Sequence, residues 1–217
     1  LGGDYTLPMK VVKGVKAVYS FEARHKLRQL LSRFQPSIAH LHNIYHHISP
    51  AILSVLSNAG IPIVLTAHDL KIACPNYRML SGQQICERCK GGNYLHVVKQ
   101  RCVHDSLAAS TIVAVEATVH TLLGSYRRHV DRIVVPSRFF LEKFVEWGWD
   151  RSRFVHIPNY VDAAATTPRF EPGDYFLYFG RLSFEKGVST LIRAAASAGV
   201  ALRIAGTGPD AEALKAL

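Results

Sequence analysis

The stretch Tyr175-Phe-Leu-Tyr-Phe-Gly-Arg-Leu-Ser-Phe-Glu-Lys-Gly187 constrains this chain more tightly than any other. An aromatic, apolar strand runs into a turn at Gly180 and then into Val188-Ser-Thr-Leu-Ile-Arg-Ala-Ala-Ala196, where Val188, Leu191, Ile192 and Ala195 recur at helical spacing. A strand feeding a helix in this way leaves unpaired backbone N–H groups at the helix start, and with the helix dipole they suit an anion. Arg181 and Lys186 set a guanidinium fork and a mobile ammonium beside that mouth, a pair of donors that matches a diphosphate. Without further context the same two residues would read as solvated loop cations.

The rest of the chain alternates strand and helix. Residues 17–34 read as a helix with Arg24, His25, Lys26, Arg28 and Arg33 on its polar side, stopped by Pro36. Residues 37–42 form a short strand and 50–59 a helix with Gly60 as its C-terminal cap. Residues 61–66 are a buried-type strand, so strand, helix and strand make a βαβ unit and the sheet is predicted to be parallel. Residues 106–129 read as one long helix, N-capped by Ser106, with an apolar stripe at Ile112, Val115, Val119 and Leu122. A strand at 131–137, an amphipathic helix at 138–148 and a strand at 154–157 follow. Residues 163–173, with Pro168 and Pro172, have linker composition. Beyond the diphosphate segment, a strand at 200–205 leads to Gly206-Thr-Gly-Pro209 and a helix with Asp210 as N-cap. Gly206 and Gly208 would let a ligand approach the backbone closely, although turn geometry alone also explains them. The expected class is α/β: a partial Rossmann-like first domain over 1–162, a Cys-rich insert at about 70–105, and the beginning of a second Rossmann-like domain at 174–217.

Two groups of residues carry chemistry in the first domain. Thr66-Ala-His-Asp69 falls just past the carboxyl end of a parallel strand, where open α/β sheets bind ligands, so His68 and Asp69 are candidate catalytic residues. His42-Asn43 ends the preceding strand on the same edge, and His46-His47 read as loop. The second group is Cys74, Cys86, Cys89 and Cys102, with Cys86 and Cys89 forming a CxxC and eleven and twelve residues separating the outer cysteines from it. Four thiolates suit a tetrahedral structural zinc, with His96 or His104 able to replace one ligand. Two disulfides and unpaired buried thiols are the alternatives.

Gly180-Arg-Leu-x-x-Glu-Lys-Gly187, a short distance past Ile157-Pro-Asn-Tyr-Val-Asp162, resembles the entry to the second domain of the retaining GT-B glycosyltransferases of family 4. Thr66-x-His-Asp69 resembles that family's first-domain motif, and a Cys-rich insert after the His-Asp resembles a subset of its sequences. The resemblance extends from about Gln35 onward. It implies transfer of a sugar from a nucleotide-diphosphate donor with retention. Arg181, Lys186 and Gly187 would bind the donor diphosphate, Gly206 and Gly208 would lie near the nucleotide, and His68 would contact the sugar with Asp69 holding its imidazole. It implies no bound metal for catalysis, in keeping with the lack of an Asp-x-Asp. The family usually has Gly where Tyr160 follows Asn159. No counterpart of its opening glycine-rich loop or of its later paired glutamates is found, so the expectation is a fragment with little turnover of its own, with residues 163–217 either marginally ordered or packed on the first domain.

With 48% hydrophobic and 19% charged residues the chain has the composition of an ordered globular protein. Its net charge of +10 favours anionic partners. A basic zinc-containing nucleic-acid-binding protein fits that charge and the cysteines, but no RRM, KH or zinc-finger pattern is found and no nucleic-acid partner is expected. A sugar-nucleotide epimerase of the same GT-B class is the nearer alternative. The expected partners are a UDP- or GDP-sugar and a glycan, polysaccharide or lipid-linked acceptor. No apolar run reaches a membrane span and no secretory signal precedes the first strand, so the expected place is the cytoplasm, with peripheral contact at an anionic membrane face.

Overall fold

The parallel sheet predicted from the βαβ spacing is present as four strands: β1 (Ala39–His42), β2 (Ile63–Thr66), β5 (Arg132–Val135) and β6 (Phe154–His156). They lie in the order β1-β2-β5-β6, every neighbouring pair parallel. This computed structural model describes residues 14, 16–45, 48–82, 84–165, 167–168 and 170–217; His46 and His47 lie outside the described residues. Two compact units divide at Tyr160 and Val161.

Central strands of a parallel sheet are covered on both faces. Accordingly Ile63 and Leu65 of β2 and Ile133 and Val135 of β5 are fully buried, whereas β1, at the edge, alternates half-buried Ala39 and Leu41 with exposed His40 and His42. Asp131 sets the strand starts level: its carboxylate accepts from the Ile63 N–H at 2.7 Å, and its own N–H donates to the Ile63 carbonyl at 2.9 Å. Helix α1 (Phe21–Leu31) turns Ala23, Leu27 and Leu31 to the core, and α2 (Leu53–Asn58), entered through a 3-10 turn at Pro50–Ile52, buries Leu53, Val55 and Leu56. Gly60 adopts φ 71° and the Ile61 N–H returns to the Leu56 carbonyl, the left-handed cap read from sequence. Helix α6 (Arg138–Glu146) is capped by Ser137, whose hydroxyl accepts from the Phe140 N–H at 3.2 Å. It drives the fully buried Phe144 against Phe154, rings stacked 5.2 Å apart, and against Trp149.

Three details depart from expectation. The helix predicted over 17–34 is interrupted at Ser20, whose extended backbone and hydroxyl cap Phe21–Leu31 instead. The long helix predicted over 106–129 ends sooner: α4 (Leu107–Leu122) gives way at left-handed Gly124 to α5 (Ser125–His129). Its apolar stripe also faces elsewhere, since Val115 and Leu122 are exposed while Ser110, Val113, Ala114, Glu116 and His120 are buried. The polar residues reach the interior because each finds a partner there. His120 Nε2 is 2.8 Å from the Val18 carbonyl, which can only accept, so Nε2 carries the proton and Nδ1 accepts from the Ser125 hydroxyl, also at 2.8 Å.

Burial is the main cause that pushes His120 below the ordinary imidazole value. The unfolded chain therefore takes up this proton more readily, and the associated stability is complete above the ordinary value and lost as pH falls below it. Urea midpoints measured between about pH 7.5 and about pH 5.5 are expected to fall with acid, and the fall should be shallower in His120→Gln.

Candidate active site

Since the strands run parallel, β1, β2, β5 and β6 all discharge their chains onto one edge, and the first-domain candidates gather there. His42 ends β1 in register with Thr66, and two residues beyond Thr66 stands His68. His42 Nδ1 lies 2.8 Å from His68 Nε2, with ring centroids 5.1 Å apart. On the same face of β1, the His40 ring centroid is 4.3 Å from that of His42, and His40 Nε2 lies 2.8 Å from the Thr66 hydroxyl. Partial removal from water, then the charges of His40 and His68, hold His42 below the ordinary imidazole value. Asn43 turns the chain off β1 at φ 47°.

The loop that carries His68 and Asp69 is tied down twice. One carboxylate oxygen of Asp69 accepts from the Lys71 N–H at 2.9 Å, a turn that any Asp in this position can make. The Lys71 ammonium runs inward, donating to Glu116 of α4 at 2.9 Å and to the Pro75 carbonyl at 3.0 Å. Both side chains of this ion pair are buried, 6% and 5% exposed. Beside them Tyr45 is buried, and loss of water, then the charges of Asp69 and Glu116, push its phenol upward.

After this loop comes the cysteine-bearing insert. Strands β3 (Leu80–Ser81) and β4 (Gln84–Ile85) form a small antiparallel hairpin, and α3 (Leu95–Lys99) packs on α4. All four cysteines are free thiols, with Cys74 and Cys89 buried. Burial, then the neighbouring Cys74, Cys102 and Cys86, push Cys89 up to about 12; burial likewise raises Cys74 and Cys102. No group of three or more His, Cys, Asp or Glu among the described residues is arranged to hold a metal ion. The insert has a small apolar centre of its own, Cys89 and Val97 with Ala114 of α4, flanked by Tyr94, Val98, Cys102 and Trp147. Ion pairs from Glu87 to Lys143 and from Lys90 to Glu146 join it to α6.

In the second unit, β7 (Phe176–Phe179) and β8 (Leu202–Ala205) pair in parallel, and α7 (Val188–Ala198) follows β7. Their carboxyl ends open on a cavity of about 540 Å³ walled by Gly180, Arg181, Gly206, Thr207, Gly208 and Pro209. The two loops touch backbone to backbone: a Cβ on Gly206 would run into the Gly180 carbonyl oxygen, and one on Gly208 into that of Leu182. Gly206 also has φ 156° and Gly187 φ 66°, the latter just ahead of α7. Arg181, Gly206 and Gly208 thus come together. Lys186 ends a 3-10 turn at Phe184–Lys186, exposed and outside that wall. Asp210 precedes α8 (Ala211–Lys215) without the side-chain cap expected of it; its N–H donates to the Leu182 carbonyl.

Sequence reasoning overlooked His40 and the Lys71–Glu116 pair. The period-two spacing of His40 and His42 on a strand was the available signal for the first. Nothing local marks the second, whose partners stand 45 positions apart.

A parallel sheet with crossover helices and a polar cluster on its carboxyl edge defines a Rossmann-like domain of the GT-B type. The family model described as Glycosyltransferase Family 4 matches residues 8–165, most of the chain, and the protein belongs to that family. No curated protein matches it. Among the described residues no helix is long and apolar enough to cross a membrane.

Two substitutions check how these sites are held. Glu116→Ala strands the Lys71 ammonium in the interior and is expected to cost roughly 3–5 kcal/mol in chemical denaturation. Gly208→Ala is expected to disorder the β7–β8 loops, read as lost amide protection at Leu182 and Asp210, whose N–H groups bond across them.

Proposed function

We propose that this family 4 glycosyltransferase chain handles a nucleotide-diphosphate sugar, UDP- or GDP-linked, and passes the sugar with retention to a glycan or lipid-linked acceptor. The cavity at the carboxyl ends of β7 and β8 carries the reading, because it sets Arg181 beside the Gly206-Thr-Gly-Pro209 loop in one open hollow. The bond from the anomeric carbon to the diphosphate breaks with its electron pair leaving on the diphosphate. An acceptor oxygen forms the new bond on the same face, and its proton passes to the departing diphosphate oxygen. Negative charge grows on the leaving group, and the Arg181 guanidinium at that cavity stabilises it. Lys186, on the turn next to Gly187, adds a mobile second cation, and His68 orients the sugar. The net charge of +10 supports an anionic acceptor or peripheral contact with an anionic membrane surface.

Calorimetric titration of the chain with UDP-glucose, GDP-mannose and the bare diphosphates tests the reading. Arg181→Ala is expected to weaken binding roughly 10–100-fold, the weight of hydrogen bonds to a charged group. Unchanged affinity in that variant, or no binding of either nucleotide sugar, would sink it.

A further inference from the structure

The contact between His42 and His68 has a consequence for which atom meets the substrate. A neutral imidazole carries one N–H and one bare nitrogen. Two imidazole nitrogens 2.8 Å apart therefore need one proton between them. With none, two lone pairs face each other; with two, two N–H groups collide. Partial removal from water holds His42 below the ordinary imidazole value, which disfavours a charged ring there. Its ring is also confined from the other side by His40, which is itself bonded to Thr66. The parallel register of β1 on β2 anchors His42, and His68 lies on the loop two residues past the end of β2.

We propose that His42 is a positioning residue for His68: it occupies Nε2 of His68 and so leaves Nδ1 as the nitrogen that meets a hydroxyl of the donor sugar. The two tautomers are coupled. When His42 donates from Nδ1, His68 keeps its proton on Nδ1 and offers the sugar a donor. When His68 donates from Nε2, its Nδ1 is bare and offers an acceptor. His42 touches no substrate in this scheme and acts through the ring it holds. The sugar half of the proposal rests on the role given to His68 under Proposed function; the imidazole pair does not.

Long-range nitrogen–proton spectra of the histidine rings, recorded on the whole chain at neutral pH, test the pair. The expected result is a coupling between the His42 Nδ1 and His68 Nε2 resonances, lost in His42→Ala. His42→Asn, which keeps a polar nitrogen near the place of Nδ1, should restore the His68 pattern. A His68 pattern that does not respond to His42→Ala overturns the proposal. The sugar half is read from the ratio of affinities for UDP-glucose over UDP, and GDP-mannose over GDP. That ratio should fall roughly 3–10-fold in His42→Ala, the weight of one neutral hydrogen bond, and recover in His42→Asn. Loss of the ratio in His68→Ala but not in His42→Ala overturns positioning while sparing the role of His68. An unchanged ratio in His68→Ala overturns the sugar contact and the role of His68 together, whatever the spectra show.

Discussion

Parallel pairing obliges each strand of the first unit to leave the sheet on the same edge, and the chemistry of that unit follows from it. His42 and His68 stand far apart in sequence, yet the register that sets His42 beside Thr66 brings their rings into contact. The same rule applies on a smaller scale in the second unit. There β7 and β8 end together, and their loops close one cavity around Arg181. In both places the polar groups sit at ends of strands whose middles are fixed by ladder hydrogen bonds.

Parallel strands also need cover, and the cover is what keeps the first edge in shape. α4 lies with a polar strip inward, which is costly unless every group is answered. Lys71 answers Glu116, while the Val18 carbonyl and the Ser125 hydroxyl answer His120. Replacing a buried pair of this kind with apolar residues is often neutral or stabilising, so its value is better sought in position than in net stability. Here it holds the segment after Asp69 against α4. The cysteine insert departs from the same loop and closes over its own small apolar centre, with surface ion pairs to α6 that each contribute little.

Much of this was written locally. Gly60 as a left-handed cap, Ser106 as an N-cap, and apolar strands within 61–66 and 131–137 each depend on a few neighbouring residues, and each appears there. Chain-order alternation of strand and helix was enough for the α/β class, because a crossover helix leaves parallel pairing as the usual outcome. The Gly-Arg-Leu-x-x-Glu-Lys-Gly string and Thr-x-His-Asp pointed to the family before any coordinates did.

What stayed hidden was whatever depends on a partner distant in the chain. The inward face of α4 could not be read from its apolar spacing, because burial of Glu116 and His120 is decided by Lys71, Val18 and Ser125, and Lys71 and Val18 are remote in the chain. The neighbourhood of the four thiols is likewise a matter of how the insert folds back on α4. Local pattern therefore determined the elements, the class and the family, since propensity, capping and alternation act over a few residues. Tertiary structure alone decided which side chains meet, since register and packing are properties of the whole sheet.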